Sequence, residues 1–232
     1  MKKIIALILG LTLLVGGASI FLYPHVQRFL YDRYARGVIS DFGERVEGYR
    51  NESEDGTLQW LHELIVEYNK RLYENRQADL IDPFSYEQVS FSLREFGFEE
   101  EMIGYITIPR MDEELPIFLG ASDANMSRGA AHMTQTSLPV GGINTNAVIA
   151  AHRGYARARM FQNIHMLELG DEIFITNFYE TLRYEVVEIK IIFPDEIDEV
   201  LIRSGRDLIT LISCHPLRQN VQRYLVFAER AE

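Results

Sequence analysis

Cysteine is almost absent from this chain: Cys214 is the only one in 232 residues. An internal disulfide is excluded, and so is a thiolate metal centre of the CxxC kind. No HExxH spacing occurs either, so no metal and no cofactor is expected. Basic residues are also in short supply. Lys and Arg total 23 against 34 Asp and Glu, a net charge of -11, which argues against a surface built to neutralise phosphates and so against a nucleic-acid partner. Internal repeats and low-complexity tracts are missing. The 47 % hydrophobic content is ample for a folded core.

Long apolar runs are missing with one exception. Residues 4–23 are uncharged and follow Lys2 and Lys3; as a helix they would be about 30 Å long, the thickness of a bilayer core. The two lysines favour a cytoplasmic N-terminus, which makes the segment a single-pass anchor and puts the remaining residues outside the cell membrane. A cleaved signal peptide is the rival, because Gly16, Gly17, Ala18 and Ser19 are small, but its apolar core would be only about 7 to 15 residues. The domain plan is an anchor over 1–24, a helical region over 25–101 and a β domain over 102–232.

The helical region reads as helix from 26 to about 49. After a break at 51–56 a second helix carries Leu58, Leu61, Ile65, Tyr68 and Leu72 on one face. Periodicity is lost over 75–84, an expected exposed loop that ends in Asp82-Pro83-Phe84, where proline stops a helix. Beyond Met102 come short runs rich in β-branched residues, at 103–108, 147–151, 172–176, 182–193, 208–214 and 223–228. That rhythm is expected of a β-barrel or sandwich. In the longest run the polar positions Arg183 and Glu185 give way to Glu188 and Lys190, one step out of phase, as a β-bulge requires. A helix is expected only around 156–166.

Cys214 ends the β-like run Thr210-Leu211-Ile212-Ser213-Cys214, and Arg223 returns nine residues later. A thiol reacts as a thiolate or beside a base, and acyl transfer needs a donor for the oxyanion. Cys214, His152 and Arg223 would supply all three. Read alone, Cys214 is favoured as an inert buried thiol, and for His152 a hydrogen-bonded strand end is the leading reading. Six histidines compete to be the base. His25 lies at the membrane boundary, His62 in a helix, and His215 adjoins Cys214 but points to the other face of the strand; His132 and His165 stay open beside His152.

At this point the residues resemble a family. Thr210-Leu211-Ile212-Ser213-Cys214 followed by Arg223 resembles the TLxTC...R signature of sortases, the membrane-anchored transpeptidases of Gram-positive bacteria, with Ser213 in place of threonine. The stretch 136–154, through Asn144-Thr145-Asn146 to Ala151-His152-Arg153-Gly154, is similar to the histidine segment of the pilin-polymerising class C enzymes, and Gly170-Asp171 before the strand at 172 also fits. Glu67-Tyr68-Asn69-Lys70-Arg71-Leu72 resembles their YNxxL segment, and Asp82-Pro83-Phe84 their lid motif. Many class C members carry a second hydrophobic anchor after the catalytic domain, whereas residues 229–232 here are mostly charged.

The resemblance implies a mainly β fold with a closed eight-stranded sortase-type barrel. It implies Cys214 as nucleophile, His152 as acid and base, and Arg223 as oxyanion or substrate clamp. It further implies a lid at about 75–88 in which Asp82 pairs with Arg223, Pro83 fixes the angle and Phe84 covers Cys214. The activity implied is cleavage of an LPXTG-like sorting signal between Thr and Gly through a thioacyl enzyme, then joining to a lysine of another pilin subunit. Two alternatives stand beside it: a cell-wall-anchoring or mainly hydrolytic sortase, and a non-enzymatic membrane-tethered pilus-assembly scaffold.

Overall fold

The computed structural model describes residues 2–52, 56–78, 80, 93, 101–154, 158–217 and 219–231. The first element, α1 (Lys2–Glu52), joins the apolar segment and the following helix into one rod of 51 residues with Pro24 inside it. Anchor and helix were expected as separate pieces. An interior proline removes one backbone hydrogen bond and costs about 3 kcal/mol, but it does not by itself end a helix that continues well on both sides. Apolar side chains of the first part, such as Leu7, Leu14 and Phe21, face outward with no protein over them, whereas Tyr31, Ala35, Phe42 and Val46 are buried. Their spacing of four and seven puts them on one stripe, packed on the barrel at the strands β1 (Met102–Ile108) and β2 (Glu113–Leu119).

The second helix, α2 (Thr57–Glu74), buries Leu61, Ile65, Tyr68 and Leu72, four of the five residues expected on that face. Asn69 fastens it to the barrel from the same side. Its Nδ2 donates to Leu138 O at 3.0 Å and its Oδ1 accepts from Leu138 N at 2.8 Å, a buried pair that satisfies both backbone groups of one residue. Asn69→Ala should therefore lower stability by roughly 2 to 4 kcal/mol, since an orphaned buried polar group costs about 1 to 3 kcal/mol. A thermal or urea melt unchanged from wild type would show that water takes over both bonds.

Six more strands complete the sheet: β3 (Ala130–His132), β4 (Thr145–Ala150), β5 (Glu172–Asn177), β6 (Thr181–Ile192), β7 (Asp207–His215) and β8 (Gln222–Arg230). They close into an eight-stranded barrel in the order β1-β2-β3-β4-β7-β8-β6-β5. The fold is thus mainly β, as expected. The out-of-phase polar residues of β6 mark a real bulge, because Val186 pairs with Ala228 and Glu188 with Phe227, leaving Val187 extra.

Three expectations need correction. β2 and β3 were not foreseen. β2 carries Glu113, Glu114 and Pro116, but its ladder to β3 begins only at Ile117, so the missing proline N–H interrupts nothing there; β3 has three residues, too few for a period. The helix around 156–166 shrinks to a 3-10 turn, Phe161–Met166, preceded by Met160 at φ 45°. The loop after α2 is not wholly exposed: Gln77 and Leu80 are buried. Gln77 Nε2 donates to Gln135 O at 3.0 Å and its Oε1 accepts from Ile202 N at 2.7 Å. Asp82, Pro83 and Phe84 lie outside the described residues, as does most of the expected lid.

Candidate active site at the β4–β7–β8 rim

The position of the candidate residues follows from two ladders. β4 and β7 run parallel, Thr145 against Asp207 through Ala150 against Ile212, a constant offset of 62 residues. The offset persists beyond β4. Ser213 Oγ donates to Ala151 O at 2.7 Å, and Arg153 Nη1 donates to His215 Nδ1 at 2.9 Å. These two contacts flank His152 and Cys214, which line the same cavity. On the other side of β7, antiparallel pairing puts Cys214 opposite Arg223. Cys214 and Arg223 therefore stand side by side on neighbouring strands, with His152 two residues beyond the end of β4.

The pleat decides which way they face. Ile149, Leu211 and Val226 belong to the main core, while Val148, Ala150, Ile212, Leu225 and Phe227 join a smaller apolar cluster with Ala121 and Met133. Side chains alternate along a strand, so His152, Cys214 and Arg223 share the face of the smaller cluster. They line one cavity of about 300 Å³ whose apolar wall includes Ala121, Met126, Met133 and Ile212. β7 is buried from Asp207 to Ser213 and emerges at Cys214, which puts the sulfur where the sheet meets solvent.

Polar residues inside the sheet hold these strand ends. Thr210 Oγ1 donates to Asn146 Oδ1 at 2.7 Å, and Asn146 Nδ2 donates to Val200 O at 2.9 Å, all three residues being buried. Thr210 and Ser213 of the signature thus bond inward and across to β4, while Cys214 is left for the cavity. From the opposite wall Asp123 opens α3 (Asp123–Arg128), whose cap is Ser122 Oγ accepting from Asn125 N at 3.3 Å.

His152 is half-buried, and burial holds its pKa below the ordinary histidine value although the Asp123 carboxylate pulls the other way. The imidazole is accordingly neutral at physiological pH, able to accept a proton. Arg223 is 8 % exposed; its Nη1 donates to Asn220 Oδ1 at 2.5 Å and to Gln222 O at 3.1 Å. Cys214 Sγ donates to the same Asn220 Oδ1 at 3.3 Å. A thiol, a neutral base and a fixed guanidinium on one face are what acyl transfer through a thioester requires.

Of the six histidines His152 is the one that lines the cavity. His132 is fully buried, with Nε2 3.1 Å from Thr136 Oγ1 and 3.0 Å from Ser137 O, and burial pushes its pKa down to about 4. His165 is exposed at the end of the 3-10 turn. His62 rests edge-on against Tyr179, with ring centroids 4.6 Å apart, and His25 stacks near Phe21 on α1. His215 faces away from the cavity, as strand alternation predicts, and takes the bond from Arg153 beside the Tyr224 ring. Asn220 and Asp123 were missed from sequence. Neither lies in a periodic element long enough to orient it, and a polar residue in a loop carries no signal of what it touches.

Comparison with known proteins extends the picture beyond geometry. Residues 106–231 match the family model described as Sortase domain. Among curated proteins, Sortase A of Bacillus anthracis is 27 % identical over 166 residues, 71 % of this chain and 77 % of that protein. Among solved structures, Sortase C1 of group B Streptococcus Pilus Island 1 superposes with a TM-score of 0.74 at 32 % identity, covering 85 % of this chain and 92 % of that one. Group B Streptococcus Pilus Island 1 Sortase C2 gives 0.69 at 37 % identity, over 77 % and 99 %. The matched domain takes in more than half of the 232 residues and the whole of the β4–β7–β8 rim, and with it the chain belongs to the sortases, a family of cysteine transpeptidases.

Proposed function

We propose that the chain is a pilin-polymerising transpeptidase in which Cys214 is the nucleophile, His152 the acid and base, and Arg223 the oxyanion clamp. The observation that supports the chemistry is that Cys214 pairs across the ladder with Arg223 and that both line one cavity with His152. Cys214, its proton passed to His152, attacks the Thr carbonyl carbon of an LPXTG-like signal. The Thr–Gly bond breaks and His152 returns the proton to the departing glycine amine. The resulting thioester is then attacked by a lysine amine of a second pilin subunit; His152 takes the amine proton, the thiolate leaves, and an isopeptide bond remains. Arg223 steadies the carbonyl oxygen in both halves.

The pilin assignment rests on the helices as well as the barrel. The structural match to the pilus-related Sortase C1 covers 85 % of this chain, far more than residues 102–231 alone could supply. The long apolar part of α1 supports a single-pass membrane anchor with the catalytic domain outside. The lid stays part of the proposal on its sequence, with Asp82 toward Arg223 and Phe84 over Cys214.

Incubating the full chain in detergent with a pilin subunit that carries an LPXTG-like signal and an acceptor lysine should give a ladder of covalent oligomers on a denaturing gel. The curated relative from Bacillus anthracis is named Sortase A and not Sortase C, so a cell-wall-anchoring or mainly hydrolytic sortase is the second reading. Cleavage of the signal with no ladder would decide for that reading, or for hydrolysis. Absence of any thioacyl adduct would return the chain to a scaffold.

A further inference from the structure

The oxygen Asn220 Oδ1 sits between the two groups proposed to handle the substrate carbonyl. It accepts from Cys214 Sγ at 3.3 Å and from Arg223 Nη1 at 2.5 Å. A guanidinium has donors only, so the amide atom facing it is the oxygen. The same oxygen therefore faces the sulfur, where it can accept from the Cys214 thiol. The asparagine side chain is itself a primary amide, with a C=O dipole of the kind a peptide presents. In this resting arrangement a carbonyl oxygen already touches both the nucleophile and the clamp.

We propose that Asn220 is an internal occupant of the carbonyl subsite of the Cys214 cavity. Its amide oxygen holds the position that the acyl donor's carbonyl oxygen takes, engaging the Cys214 thiol and the Arg223 guanidinium until a peptide carbonyl displaces it. The identity of the displacing group rests on the acyl-transfer reading above, but the occupancy does not. Displacement is inexpensive in structural terms. Asn220 is exposed in the connection between β7 and β8, and among the described residues its side chain makes only the two hydrogen bonds named. Arg223, by contrast, is buried.

The test is the rate at which iodoacetamide alkylates Cys214 near neutral pH, read by intact mass on the full chain in detergent. Asn220→Ala should react about fivefold faster than wild type, the statistical weight of one ordinary net hydrogen bond. Asn220→Asp should react more slowly than wild type, because a carboxylate beside the sulfur disfavours the thiolate. The apparent KM for a sorting-signal peptide should fall in the alanine variant, whose site no longer has to be vacated. Repeating the series on a Phe84→Ala parent prevents a cover over the thiol from hiding the difference. Wild-type or slower alkylation in a folded Asn220→Ala chain overturns the proposal; Asn220→Asp keeps the side chain's shape and decides alone if the alanine variant fails to fold. If the alkylation rates shift as expected while no chain, wild type included, forms an adduct with the peptide, the transpeptidase reading fails and the occupancy of the subsite stands.

Discussion

Cys214→Ala should abolish acyl transfer, leaving neither a thioacyl adduct by intact mass nor a covalent product with a sorting-signal peptide. The chain has no second cysteine to take over. The nearest hydroxyl is no substitute: Ser213 is buried, faces the other side of β7 and donates its proton to Ala151 O at 2.7 Å. Removing that bond would loosen the hold of β7 on the segment that follows β4, so Ser213 serves as structure. What remains in the alanine variant is peptide binding and the donors around the carbonyl, which accelerate reaction with water only weakly by comparison with the intact set. The fold should be unaffected, because Cys214 is partly exposed and its one described hydrogen bond goes to a loop residue. A matched melting temperature with retained transfer would mean that the nucleophile lies elsewhere.

How much of this was visible in the sequence depends on how each element encodes itself. The strands that were foreseen have alternating or continuously apolar runs of five residues or more, and the bulge in β6 announced itself by a phase shift between Glu185 and Glu188. β2 was hidden by Pro116 and by two acidic residues whose roles depend on neighbours, and β3 by its length. For the site, Cys214 and Arg223 were legible as a pair because a short hairpin joins them. His152 was not separable from His132 or His165 by spacing, since the parallel pairing that brings the end of β4 near the end of β7 joins residues 62 apart. Sequence order does not state register across a parallel connection; only the closed barrel does. The resemblance alone supplied that choice. Asn220 illustrates the opposite case, a residue in a connecting loop whose meaning comes wholly from two contacts.

Arg223→Ala should lower kcat/KM for a sorting-signal peptide by about 10² to 10³, the usual loss when one donor to a developing oxyanion is removed, worth roughly 3 to 4 kcal/mol. The full effect is expected here because Arg223 is 8 % exposed and directly across from Cys214, so its charge acts where water screens it little. Two other consequences of the substitution can be told apart from lost catalysis. Truncation removes a buried stem between Leu225 and the rim, which a melt would register as lost stability. It also leaves Asn220 Oδ1 with the thiol as its one remaining donor of the two, which alkylation would register. Neither should change rate by hundreds. Arg223→Lys provides the sharper comparison: it keeps the charge but replaces a planar fork by a single flexible ammonium, so a partial recovery of about tenfold over alanine is expected. If lysine restored full activity, charge alone would suffice and the directed hydrogen bond would be dispensable. If alanine itself retained near-normal kcat/KM, the oxyanion would have to be held by other donors, and the cross-strand pairing of Arg223 with Cys214 would serve only the barrel.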